Sequence, residues 1–112
     1  MLTGKFAQKE LSPEELRTLE DMARRVRGDI LRMTTLAGCG HPGGSMSSAD
    51  IFLTVWSHAN ISSDNLSDPA RDRIIVSHGH TSPGVYAVLG RLGFFDLKQA
   101  VATFRFAGSP FE

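Results

Sequence analysis

The sequence predicts an α/β domain, the opening of a parallel sheet with flanking helices, incomplete in this chain. Three observations carry that expectation. Several segments space their apolar residues by three and four, as helices do. One β-branched run, Arg73-Ile74-Ile75-Val76-Ser77, lacks alternation, as a strand buried on both faces would. Two histidine–glycine loops, Gly40-His41-Pro42-Gly43-Gly44 and His78-Gly79-His80, each precede a helix start, and the second follows the run directly. Ligands of open α/β folds sit at that strand-to-helix turn. A lone strand leaves its ladder unpaired, so more of the sheet is expected than these residues supply.

Residues 1–11 read as a lead-in segment and 12–112 as the partial domain. Ser12-Pro13-Glu14-Glu15 is a strong helix start, with Ser12 as cap, Pro13 at the first position and Glu15 completing a capping box. Leu16, Leu19, Ala23, Val26, Ile30, Met33 and Ala37 then form one apolar face, ended by Gly38 and Gly40. Acids lie early and arginines late, as the helix dipole favours, and Glu20–Arg24 and Asp21–Arg25 are spaced to pair. A second helix is expected from Ser47 or Ser48, burying Ile51, Phe52, Val55, Trp56 and Ala59, with His58 as a cation at its end. Asn60 to Asp72 is a polar loop. Ser82-Pro83 restarts a helix through Val85, Tyr86, Val88, Leu89 and Leu92, and Asp96 caps a further short one with Leu97, Val101 and Phe104.

Composition bounds the function. A chain of 112 residues is one domain at most, able to bury roughly two-thirds of its unfolded surface. Twelve basic residues balance twelve acidic ones, so no net field favours nucleic acid or an anionic membrane. The arginines at 24, 25 and 27 read as a solvated helix face rather than a polyanion site. No apolar run approaches the ~18 residues of a membrane-spanning helix, and Met1 to Lys9 lacks a signal-peptide core. Cys39, the single cysteine, fits a reducing cytoplasm and reads as a buried or half-buried thiol.

The two loops carry the chemistry. Glycine lets a backbone turn tightly and a ligand approach closely. A helix N-terminus offers unpaired amide hydrogens and partial positive charge to an anion. Imidazole moves protons near neutral pH. Together they describe a site for a phosphorylated or carbonyl-bearing molecule. The competing readings are a plain helix–helix linker at His41 and a turn histidine at His80. Zinc on His41, His78 and His80 is disfavoured, because no His-Glu-x-x-His motif is present.

Gly40-His41-Pro42-Gly43, then Ser-Ala-Asp-Ile, then Asp72 to His80 with Tyr86 and Leu92-Gly93-Phe94-Phe95-Asp96, together closely resemble the transketolase family. The likeness runs from about Leu16 to the end and is greatest to members split over two chains. Deoxyxylulose-phosphate synthases share the layout, but the His41-Pro42-Gly43 context is more transketolase-like. The resemblance implies a thiamine-diphosphate enzyme of carbohydrate metabolism that moves a two-carbon ketol unit between sugar phosphates, with the cofactor as electron sink. It implies that His41 lies against substrate and transfers protons. It also implies that His80, with Gly79 and Gly43, lies near the cofactor diphosphate, with His80 reaching the donor's terminal hydroxyl. His78 matches a variable position and is given no catalytic role.

The family's Gly-Asp-Gly motif for Mg²⁺ is absent; Gly28-Asp29 lies within a helix and lacks the following glycine. The glutamate that activates the cofactor ring is absent as well. The expectation is therefore an N-terminal portion inactive alone, needing a homo-oligomer or a complementing C-terminal transketolase subunit. The rival is a non-catalytic remnant that docks onto a full-length relative.

Overall fold

The computed structural model describes residues 9–112, so positions 1–8 of the expected lead-in segment lie outside the described residues. The described chain is built from α1 (Pro13–Ala37), α2 (Pro42–His58), α3 (Ser82–Arg91) and α4 (Leu97–Thr103). Among the described residues there is no strand and no sheet, which overturns the expected parallel sheet with flanking helices. Residues 72–77 are irregular. A strand exists only through hydrogen bonds to a neighbour, and no second β-branched run is present to supply one. The segment is held by side chains instead: Ile74 and Val76 pack against the core while Ile75 between them is 88% exposed.

The expected capping box at the start of α1 is present, with the Glu15 amide donating to Ser12 Oγ at 3.1 Å and the Ser12 amide to Glu15 Oε2 at 2.8 Å. The Ser12 backbone amide, with the Ser12 hydroxyl beside it, holds the Glu15 carboxyl below its ordinary range. Gly38 closes the helix in the left-handed region. Leu19, Ala23, Val26, Ile30 and Met33 are buried as the periodicity requires, but Leu16 is 48% exposed because the first turn overhangs the core. Gly40 (φ 127°) carries the chain out beneath Phe104, whose ring atoms would lie 2.7 Å from a Cβ there. No other residue fits that passage.

The second helix begins at Pro42, not at Ser47 or Ser48. Proline suits a first helical position, where its missing N–H is no loss, so the Gly43-Gly44 pair lies inside the first turn rather than in a linker. Phe52, Leu53, Trp56 and Ala59 are buried, with Phe52 and Trp56 edge to face at 5.7 Å, whereas Ile51 is 65% exposed on the opposite side. His58 occupies the last turn, buried, with Nδ1 2.8 Å from the Thr54 carbonyl oxygen.

Charge links the helices. Arg24 and Arg25 both reach Asp21, at 3.3 and 3.9 Å, so Arg24 pairs three residues back rather than with Glu20. Arg27 pairs with Asp50 of α2 at 2.9 Å; the bond lowers the Asp50 pKa and raises that of Arg27. Asp29, fully buried in α1, accepts from Arg91 of α3 through Nε at 2.6 Å and Nη2 at 2.9 Å, and also from Arg32. Hydrogen bonding to Asp29 raises the Arg91 guanidinium above its usual value. A bidentate pair of this kind fixes orientation as well as contact. It ties the end of α3 to the middle of α1.

Candidate active site

His41 is the residue preceding the first turn of α2, and its backbone is left-handed (φ 55°, ψ 67°). His80 has the same character (φ 63°), two residues before α3 begins. Left-handed backbone costs a residue with a Cβ about 1–2 kcal/mol. Such conformations persist where surrounding structure imposes them, and they cluster at ligand sites. Two histidines carrying the same uncommon backbone converge here: their rings meet edge to face, centroids 4.6 Å apart at 78°. Both residues are exposed.

The surrounding groups explain that meeting. The first turn of α2 lies against the His80 loop, where a Cβ on Gly44 would stand 3.8 Å from the His80 carbonyl oxygen. Ser45 Oγ accepts the Gly84 amide at 3.1 Å, a buried bond between the first turns of α2 and α3. Thr81 spends its hydroxyl on the His78 carbonyl at 3.3 Å and makes no side-chain cap to α3. His78 stacks on Phe52, centroids 5.6 Å apart and planes inclined by 22°. The loops are thus held from beneath by α2, with the two imidazoles on top.

Neither α2 nor α3 has an acidic residue in its first turn, and neither is capped by its preceding side chain. Pro42 and Pro83 carry no N–H and the Gly84 amide is spent on Ser45, so it is the remaining first-turn amides and the two helix dipoles that present partial positive charge to whatever lies above the histidines. A Cβ at Gly43 or at Gly79 would meet no atom within 4 Å, so the space over both is open. This surface fits an anionic group beside a pair of proton carriers. Cys39, expected to be buried or half-buried, is exposed two residues before His41, because Gly38 and Gly40 turn the chain away from the core there.

Metal ligation is another matter. Among the described residues no three His, Cys, Asp or Glu side chains group as a metal site requires. His78, the third imidazole considered for zinc, is engaged with Phe52. The described residues do not fit Mg²⁺.

Sequence reasoning missed Ser45, Thr81 and the Phe52–His78 stack. A signal for Ser45 did exist. It stands four residues before Ala49 and seven before Phe52, on the buried stripe of α2, where a polar residue needs a partner.

Residues 19–110 match the family pattern described as "Transketolase, thiamine diphosphate binding domain". The chain belongs to the transketolase family. It is 37% identical to human transketolase over 82 residues, covering 72% of this chain but 13% of that protein. It is 32% identical over 81 residues to the 6-deoxy-6-sulfo-D-fructose transketolase subunit SqwG of Clostridium sp. (strain MSTE9), covering 71% of this chain and 30% of that subunit. Transketolase 1 of Vibrio cholerae is 34% identical over 76 residues, 67% of this chain and 11% of its own length. The chain therefore spans a small fraction of the curated transketolases it matches. No solved structure matches it. No helix among the described residues is long and apolar enough to cross a membrane.

Proposed function

We propose that this chain supplies the N-terminal part of a thiamine-diphosphate transketolase site, with residues 12–112 as its partial domain. One observation carries the reading: His41 and His80 place their rings 4.6 Å apart over two helix starts that lack their own caps. His41 faces substrate and transfers protons, and His80 with Gly79 and Gly43 borders the cofactor diphosphate. The cofactor would supply an electron sink for breaking and making the ketol carbon bond. The chain's own part is to present open amides to the diphosphate and to hold two imidazoles able to give or accept a proton at neighbouring substrate oxygens.

The transferred unit is a two-carbon ketol moving between sugar phosphates. Turnover requires sequence this chain does not hold, either from a complementing C-terminal subunit or from a continuation of the same polypeptide. The curated relative described as a subunit supports that division. Exposed Ile51, Ile75 and Leu36 support burial against such a partner or a second copy. A cytoplasmic location fits the single free thiol of Cys39.

Two measurements test this. Calorimetry of the isolated chain with thiamine diphosphate and Mg²⁺ should show weak or undetectable binding, because diphosphate without a metal site lacks most of its electrostatic partner; tight, magnesium-dependent binding overturns the division. Co-expression with the C-terminal remainder of a relative should give ketol transfer that His41→Ala removes. Full transfer by H41A would overturn the assigned role. Sequencing downstream of Glu112 separates the rival: an in-frame Gly-Asp-Gly supports the enzyme portion, and a stop supports a docking remnant.

A further inference from the structure

We propose that Ser45 is a positioning residue whose hydroxyl, acting as a cap supplied from another helix, sets the separation of His41 and His80. The inference rests on the catalytic reading above for its consequence, but not for its geometry. Ser45 stands four residues after His41 and Gly84 four residues after His80. The hydrogen bond between them therefore joins the first turns of α2 and α3, at the same four-residue offset from each histidine.

Three facts make this bond a spacer rather than an incidental contact. Ser45 is fully buried, so its hydroxyl has no water to turn to if the bond breaks. The Gly84 amide is one of the leading N–H groups of α3 that lack an intrahelical partner, and Thr81 leaves it uncapped. The approach is also as close as a side-chain-free residue permits: a Cβ at position 84 would lie 3.2 Å from both the Ser45 Cβ and its carbonyl oxygen. Widening that contact moves two helix starts apart, and each start dictates its histidine through a left-handed backbone. Rings that meet edge to face at 4.6 Å would separate.

The test uses the whole chain and needs no turnover. In wild type, NMR should give cross-ring nuclear Overhauser effects between His41 and His80, assigned by single His→Gln variants. S45A, which removes the acceptor and keeps the volume nearly unchanged, should weaken or abolish them while helical circular dichroism and Trp56 emission persist. S45T, which restores a hydroxyl, should return them. If S45A retains full cross-ring effects, the proposal fails. If S45A loses its helical signal, G84A carries the same test from the other side, and unchanged cross-ring effects there overturn it.

In the complemented enzyme, S45A should lower kcat by on the order of 10- to 100-fold with KM little changed, the cost expected of a small misplacement of reacting groups. Cross-ring effects lost in S45A with kcat intact would uphold the spacer and sink the catalytic reading. The two failures are thereby distinguished.

Discussion

The N-termini of α1 and α4 are closed by side chains of their own, those of α2 and α3 are not. Ser12 and Glu15 cap α1 reciprocally, and Asp96 accepts the Lys98 amide at 3.0 Å to cap α4. At α2 and α3 the preceding residues are His41 and Thr81, neither of which caps. Ordinary helix chemistry favours Ser, Thr, Asp or Asn there, at a gain of about 1 kcal/mol. The first pair of termini obeys local rules because it has only stability to serve. The second pair departs from them where the family site is expected: His41 is not a capping residue, Thr81 is one but turns its hydroxyl to the His78 carbonyl, and support comes from a distance, through Ser45 and the Phe52–His78 stack.

This contrast can be broken by substitution. In the complemented enzyme, His41→Ala should cut ketol transfer by roughly 10²- to 10⁴-fold, the usual worth of a positioned proton carrier. A steady-state assay showing less than a few-fold loss would return His41 to the status of a turn residue. Asp29→Ala strands Arg91 in a half-buried setting and should destabilise the chain by about 3 kcal/mol, read by urea unfolding through Trp56 emission. A loss no larger than that of a surface pair would mean that the α1–α3 tie is incidental.

Smaller effects sharpen the comparison. Ser12→Ala should cost about 1 kcal/mol and leave the His41–His80 contact intact. His41→Gly should instead raise stability by about 1 kcal/mol, since glycine occupies the left-handed region without strain. Opposite signs in one set of denaturation curves would confirm that one helix start is built for stability and the other is not. Two buried serines of α2 extend the same logic. Ser57 Oγ has no hydrogen-bond partner among the described residues, so Ser57→Ala should be neutral or stabilising by up to about 1 kcal/mol, unlike S45A.

The smallest effect is electrostatic. Arg27 holds the Asp50 carboxyl below its ordinary 3.8, so the pair contributes stability above that value and loses it as pH falls through the lower folded-state value. Most of the Asp50 carboxylate is exposed and screened, so only about a few tenths of a kcal/mol is expected. Denaturation of Asp50→Asn between pH ~5 and ~3 should be slightly less pH-sensitive than that of wild type. An unchanged slope would assign acid sensitivity to other carboxylates.

Several features were legible before any coordinates. The capping box at Ser12, the stripe from Leu19 to Met33 and the Asp96 cap are all local, set by neighbours within four residues, and each family motif is a short run read directly from the sequence. Others were not. Arg73 to Ser77 has strand composition, but a strand is a property of two segments, and the described chain provides one. Sequence places Asp29 within a helix and no more; only the return of α3, sixty-two residues later, buries it beneath Arg91. The start of α2 was misplaced because two glycines argue against a helix, while Pro42 and the packing of that turn onto α3 outweigh them.

The sequence by itself determined the helical segments, the family and the pair of histidine–glycine loops, since each is written in residues close together along the chain. Only the tertiary structure decided that His41 and His80 share one place, and that a buried serine hydroxyl spaces the helices beneath them. The reason is physical. Periodicity and capping are short-range, whereas the distance between two rings thirty-nine residues apart depends on how whole helices pack.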